Sequence, residues 1–117
     1  MKKVFIVLLL LISCASSISE AAYYYIWNND VYIAWINDKT IETNEIQTAA
    51  KFEIVMENRR DKTQSTSKGK NIIYKDIGEW YFYIENSEMT PERISFYEGW
   101  WQPYGLEWLL DHKFLVQ

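Results

Sequence analysis

The residues able to do chemistry in this 117-residue chain are few and scattered. There is one histidine, His112, and one cysteine, Cys14. A nucleophilic triad needs a base oriented beside Ser, Cys or Thr. A lone histidine near the C-terminus, with no Gly-x-Ser-x-Gly turn, gives no sign of one. His112 instead suits the C-terminal end of a helix, where the dipole favours positive charge. A zinc site needs several Cys or His at short spacing, and these two residues cannot supply it. Carboxylates are plentiful, and a glycoside hydrolase needs only two. Glu79, Glu98 and Glu107 lie next to or near tryptophans, as in sugar-cleaving clefts, but the same alternation is what a sheet surface looks like. Four glycines at 69, 78, 99 and 105 are too dispersed to cradle a phosphate. The expectation is no catalytic residue, no metal site and no cofactor.

What is concentrated is aromatic surface. The stretch ISFYEGWWQPYGLEWLL, residues 94–110, holds three of the six tryptophans and two tyrosines, interrupted by Gly99, Pro103 and Gly105. Trp and Tyr dominate binding hot spots, which makes Trp100, Trp101, Tyr104 and Trp108 the candidate binding residues. Neighbouring side chains of an extended chain point to opposite sides, so Trp100 and Trp101 cannot both enter one core. Trp108 falls roughly opposite Leu106 and Leu110 on a helix. One of the adjacent pair, together with Trp108, is therefore expected to be partly exposed near Tyr104. The competing expectation is that these rings form a second small core.

The elements that must position these rings begin after an export signal. MKK is a basic start, and VFIVLLLLI (4–12) is an apolar run too short for a bilayer, which takes about 20 residues. Two cleavage sites compete. LISC (11–14) resembles a bacterial lipobox in which Cys14 takes the lipid, leaving residues 1–13 as the signal. SEA (19–21) suits ordinary signal peptidase, leaving residues 1–21 as the signal and 22–117 as a single mainly-β domain. Lipid at Cys14 is the sole expected membrane contact. With no second cysteine, no disulfide within the chain is available, and roughly 95 residues must hold together by core packing.

From Ala22 onward there are 10 Lys+Arg against 15 Asp+Glu, a net charge of −5. That balance argues against nucleic acid as partner. Residues 59–71 alone carry Arg59, Arg60, Lys62, Lys68 and Lys70 against Asp61, which leaves −9 on the rest.

AYYYIWNNDVYIAWIN reads as a hairpin turning at Asn28-Asn29-Asp30. Tyr23, Tyr25 and Trp27 are expected on one face of its first strand. Apolar residues on both faces predict a central or doubly covered position. DKTIETNE reads as a polar turn. EIQTAAKFEIVMEN alternates with period 2, a strand rather than the helix its Ala and Glu content also allows. Residues 59–71 read as a long polar loop, mobile and dispensable for folding over 61–70. NIIYKDIGEWYFYIEN reads as one bent strand or two short ones, with Gly78 as bulge or kink. RISFYEG is a last strand. GLEWLLDHKFL closes the chain as a helix with Leu106, Leu109, Leu110 and Phe114 on one stripe. The expected fold is α+β: an antiparallel, strongly twisted sheet or partial barrel packed by one C-terminal helix.

In this layout VYIAWINDKTIETNEI (31–46), with Asp38, Thr40 and Ile41, resembles the Y-(I/V)-D-x-x-(S/T)-I motif of small exported proteins of the surface-adhesin protein E type. AAKFEIVMEN, the 59–71 loop and GEWYFYIEN are similar to the segments that follow in that family. The family's cysteine pair has no counterpart here. The resemblance implies an extracytoplasmic domain that binds partners and performs no known chemistry.

Three functions therefore stand as expectations. The first is an exported binding domain at the cell surface, in the periplasm or secreted, with a protein or glycan ligand. The second is an envelope inhibitor or immunity-type protein whose acidic face meets a basic enzyme or toxin. The third is a glycan-binding module or minor hydrolase. Mass spectrometry of the protein from its host is expected to show a chain lacking at least residues 1–13. An intact chain starting at Met1 would refute export.

Overall fold

The computed structural model describes residues 22–95 and 100–117. The proposed signal, Cys14 and the Phe96–Gly99 part of the expected last strand lie outside the described residues. Strand β1 (Tyr23–Asn28) and strand β2 (Tyr32–Thr43) form the expected antiparallel hairpin. Asn29 closes it: its side-chain oxygen accepts from the Val31 and Tyr32 N–H groups at 2.8 and 2.7 Å, and its own N–H donates to the Tyr32 carbonyl at 2.9 Å. A short Asn side chain commonly substitutes for backbone in such turns.

Two expectations about this hairpin are corrected. Pairing slips between Tyr25 and Trp27, so Ile26 is an extra, unpaired residue. This bulge redirects the chain. Ile26 and Trp27 are both buried, while Tyr23 and Tyr25 are left exposed. The hairpin is also not central, because β1 is an edge of the sheet. Nor is 38–45 a turn. β2 continues to Thr43, with a second irregularity between Asn37 and Glu42. Thr40 supports that irregularity, its hydroxyl donating to the Asn37 carbonyl at 2.7 Å and accepting from the Glu53 N–H at 2.9 Å. The chain turns instead at residues 44–48, where the Asn44 side chain accepts from the Thr48 and Ala49 N–H groups at 2.8 and 3.0 Å.

Strand β3 (Ala49–Asn58) confirms the period-2 reading, with Ala50, Phe52 and Ile54 buried. The segment after it is not a plain loop. Asn58 receives the N–H groups of Arg60 and Asp61 on its side chain and that of Lys62 on its carbonyl, and Lys62 adopts positive φ. The chain so reverses into a short strand β4 (Gln64–Thr66), paired to β3 from Val55 to Glu57. Strands β5 (Asn71–Asp76) and β6 (Glu79–Ile84) are two strands joined by Ile77 and Gly78, both with positive φ. That is the hairpin turn that matches strand twist, and it is the physical reason for glycine at 78. A two-residue strand β7 (Glu92–Arg93) ends the sheet.

The order is β1-β2-β3-β5-β6-β7, antiparallel throughout and open, with β4 off this path on β3. β3 changes partner partway along. Ala49–Phe52 pair with β5, and Val55–Glu57 pair with β4.

Helix α1 (Gln102–Asp111) starts three residues before the expected Gly105 and stops short of Phe114. Pro103 explains the start, since its missing N–H costs nothing in a first turn. The end is set by Lys113 at positive φ, after which the Phe114 and Leu115 N–H groups both reach back to the Leu109 carbonyl. Leu106 and Leu109 are buried, and Leu115 joins them from beyond the helix. Glycine within a helix costs about 1 kcal/mol. At 105 it lets α1 sit close, because a Cβ there would meet the Trp101 ring at 3.0 Å and Ile26 at 3.6 Å.

Ile77 is 93% exposed and β-branched in a left-handed conformation, where asparagine is better tolerated. Ile77→Asn is expected to raise stability by about 0.5–1 kcal/mol, read as a higher denaturant midpoint with unchanged slope. A lower midpoint would show that the isoleucine contributes contacts of its own.

Candidate functional site

Register assigns every strand residue to one of two faces. Tyr24, Trp27, Ala34, Ile36, Phe52, Ile54, Met56, Ile73, Phe82 and Ile84 share the face that α1 covers. The start of α1 then separates the adjacent tryptophans. Trp101 is 4% exposed and meets Phe52 and Phe82 edge-on, with ring centroids at 6.1 and 5.2 Å. Trp100 is 37% exposed and packs edge-on against Trp27 at 5.1 Å and Tyr32 at 6.2 Å. Tyr104 is exposed one turn further on. Trp108, another turn along, is half-buried and stacks with His112 at 4.0 Å and Phe114 at 5.8 Å, beside Tyr24 at 5.5 Å. The four candidate rings thus do not form one patch. Trp101 is in the core, and Trp100 and Trp108 belong to separate aromatic groups at the two ends of α1.

At the Trp100 end there is a concave site. An open cleft of about 310 Å³ lies between β4 and the start of α1. Its apolar wall is Ile54, Met56, Phe82, Ile84, Trp100 and Trp101. Its polar rim is Ser65, Thr66, Ser67, Asn71 and Gln102. The fork in the sheet makes this cleft. β4 and β5 pair with different parts of β3, and the cleft is lined from both sides of that junction and from the start of the helix. Ser65 pairs with Met56, which puts it on the cleft face. Asn71 is buried and donates to the Phe52 carbonyl at 3.4 Å, and the Ser67 hydroxyl donates to the Gly69 carbonyl. None of the eleven lining residues carries a charge.

Sequence reasoning found Trp100 and Trp101 and missed the rest. The serines and threonine of the rim lay in a segment read as solvated loop, and a polar tripeptide carries no strand signal. Ile54, Met56 and Ile84 were legible as core-facing, but not as lining an opening.

Among the described residues no helix covers the opposite face. Tyr25 meets Trp35 at 6.1 Å, and Trp35 donates its indole N–H to Glu57 at 3.1 Å. A shallow groove there is lined by Tyr23, Trp35, Val55, Glu57 and Gln64. Tyr74 stacks on Tyr81 at 5.6 Å and meets Tyr83 at 5.8 Å. Register places Tyr81 and Tyr83 on this second face, opposite Trp80, Phe82 and Ile84.

Glu57 brings a carboxylate into that shallow groove, whereas the described charges stand outside the cleft. Lys51 and Glu85 pair at 2.9 Å, and this hydrogen-bonded carboxylate holds the ammonium above its usual range. Arg93 and Glu79 approach to 3.6 Å. Asp61 accepts from the hydroxyl and N–H of Thr63, which stabilise the carboxylate and hold its pKa below the usual value. Neither ion pair uses a cation from 59–71. His112 bonds to the Trp108 carbonyl at 2.9 Å at the end of α1. Among the described residues, no three of His, Cys, Asp and Glu are grouped to hold a metal ion.

Compared with protein-family models, curated proteins and solved structures, the chain matches none. The functional reading therefore rests on the geometry just described and on the sequence.

The two adjacent tryptophans have opposite expected consequences. Trp101→Ala removes a ring enclosed by Phe52 and Phe82 and is expected to cost about 3–5 kcal/mol. Trp100→Ala is expected to cost under half of that, since over a third of the ring is already in water. Equal losses in equilibrium denaturation would mean that Trp100 is core as well.

Proposed function

We propose that this chain is an exported, non-catalytic binding domain of adhesin-like kind, which seats part of its ligand in the cleft between β4 and α1. The observation that carries the reading is Trp100: a partly exposed indole held edge-on by Trp27 and Tyr32 on the wall of a concave, uncharged site. A ring fixed in this way supplies contact area at little entropic cost. A cleft of this volume stands at the small end of ligand sites, which start near 300 Å³. Export is supported by the basic start and apolar run of residues 1–12, and the adhesin-like character by the resemblance of residues 31–46.

The test is an oligosaccharide array and a displayed-peptide library, each probed with the mature protein and with Trp100→Ala. At least one ligand is expected to be retained and recovered with unchanged mass, and to bind at least tenfold more weakly to the variant. Recovery of a cleaved ligand would establish an enzyme instead. Retention indifferent to Trp100 would remove the cleft from the reading.

A further inference from the structure

We propose that the occupant of the cleft is a neutral saccharide, its apolar ring face laid against Trp100 and its hydroxyl edge turned to the β4 rim; this rests on the binding-domain reading above. The first argument is charge. A quarter of the chain is charged (24%), yet among the described residues no ionisable side chain lines this cleft. A charged group seated there would lose water and gain no partner, which is costly.

The second argument is that the lining combines two kinds of neutral surface. Ile54, Met56, Phe82, Ile84 and the two indoles are apolar, while Ser65 on the cleft face, with Ser67, Asn71 and Gln102, adds neutral hydroxyls and carboxamides; Thr66 pairs with Val55 and faces the other side of the sheet. The matching ligand is amphipathic across its width, apolar on a flat face and rich in neutral donors and acceptors at its edge. A pyranose ring has that form. Its C–H groups make an apolar face, and its hydroxyls both donate and accept, as do those of Ser, Thr, Asn and Gln.

The third argument excludes the obvious alternatives. A peptide bound in extended form would need a strand edge to satisfy its backbone, and β4 offers only three residues. An acyl chain would leave the rim unmatched. Two of the rim residues are also held before binding, Asn71 by its bond to the Phe52 carbonyl and Ser67 by its bond to the Gly69 carbonyl. That lowers the entropy lost when a sugar is held.

The experiment titrates the mature protein with neutral gluco-, manno- and N-acetylglucosamine oligomers, following tryptophan fluorescence and heat. Uronate-containing oligomers and a peptide ending in an aromatic residue are run beside them. One neutral oligomer is expected to shift the fluorescence, with an affinity changing less than twofold between 50 and 500 mM salt. Trp100→Ala should weaken it at least tenfold. Ser65→Glu, an exposed change on the rim that spares the core, should do the same and keeps the test valid if the tryptophan variant unfolds. Ile77→Asn, on a turn outside the cleft, should bind as the parent does. Binding of the peptide alone, lost in Ser65→Glu, would overturn the saccharide and leave the binding-domain reading standing. Preference for the uronates with steep salt dependence would overturn it likewise. If no probe responds to either cleft variant, both readings fall.

Discussion

The structure depends on one aromatic insertion. Trp101 enters between Phe52 of β3 and Phe82 of β6, meeting both rings edge-on at interplanar angles of 82°. Such contacts add about 0.5–1.5 kcal/mol each beyond the area they bury. The sheet is open, Cys14 is the sole cysteine and the described residues hold one helix, so the two layers are joined by packing, in which Trp101 is the largest side chain beside Leu106, Leu109 and Leu115. Gly105 belongs to the same joint, because its missing side chain is the space into which the indole fits. The position of Trp101 also decides that of Trp100. Once one indole is driven inward at the start of α1, its neighbour must be displaced outward, toward Trp27 and Tyr32. A stability requirement thereby generates an exposed ring beside a cleft.

The cleft has a second cause, in how β3 distributes its hydrogen bonds. A strand that kept one neighbour along its whole length would leave a continuous surface. β3 gives its first half to β5 and its second half to β4, and the discontinuity is what α1 overlooks. Polar residues suit β4 because it stands clear of the core and all three of its residues are exposed. The same exposure makes them the rim.

Much of this was legible from side-chain alternation. Phe52, Ile54 and Phe82 announced buried faces, and the leucines announced a terminal helix, because burial on one side is a local property of the pattern. What alternation could not show depends on the partner strand. The extra residue at Ile26 is visible only against Ala34 and Trp35, and without it Trp27 reads as sharing a face with Tyr25. Strand β4 has no apolar residue, and its identity comes from the turn at Asn58 and Lys62. That Trp101 rather than Trp100 is buried follows from where Pro103 lets the helix begin. The site is therefore less readable than the fold: its residues come from five elements, and their meeting is a matter of pairing.

The C-terminal residues do more than end the chain. Leu115 is buried in the core, the Val116 N–H donates to the Gln47 carbonyl at 3.1 Å, and the Gln47 side chain returns a bond to the Lys113 carbonyl at 2.6 Å. The β2–β3 turn is thus tied to a segment 66 positions further along the chain. Joining such distant segments costs loop-closure entropy before any contact repays it. The strand hairpins pair locally, but the sheet is covered only when Trp101 and Leu115 reach it. Closure of the core is therefore a late and long-range event, and the sheet face under α1 stays open to water until it happens.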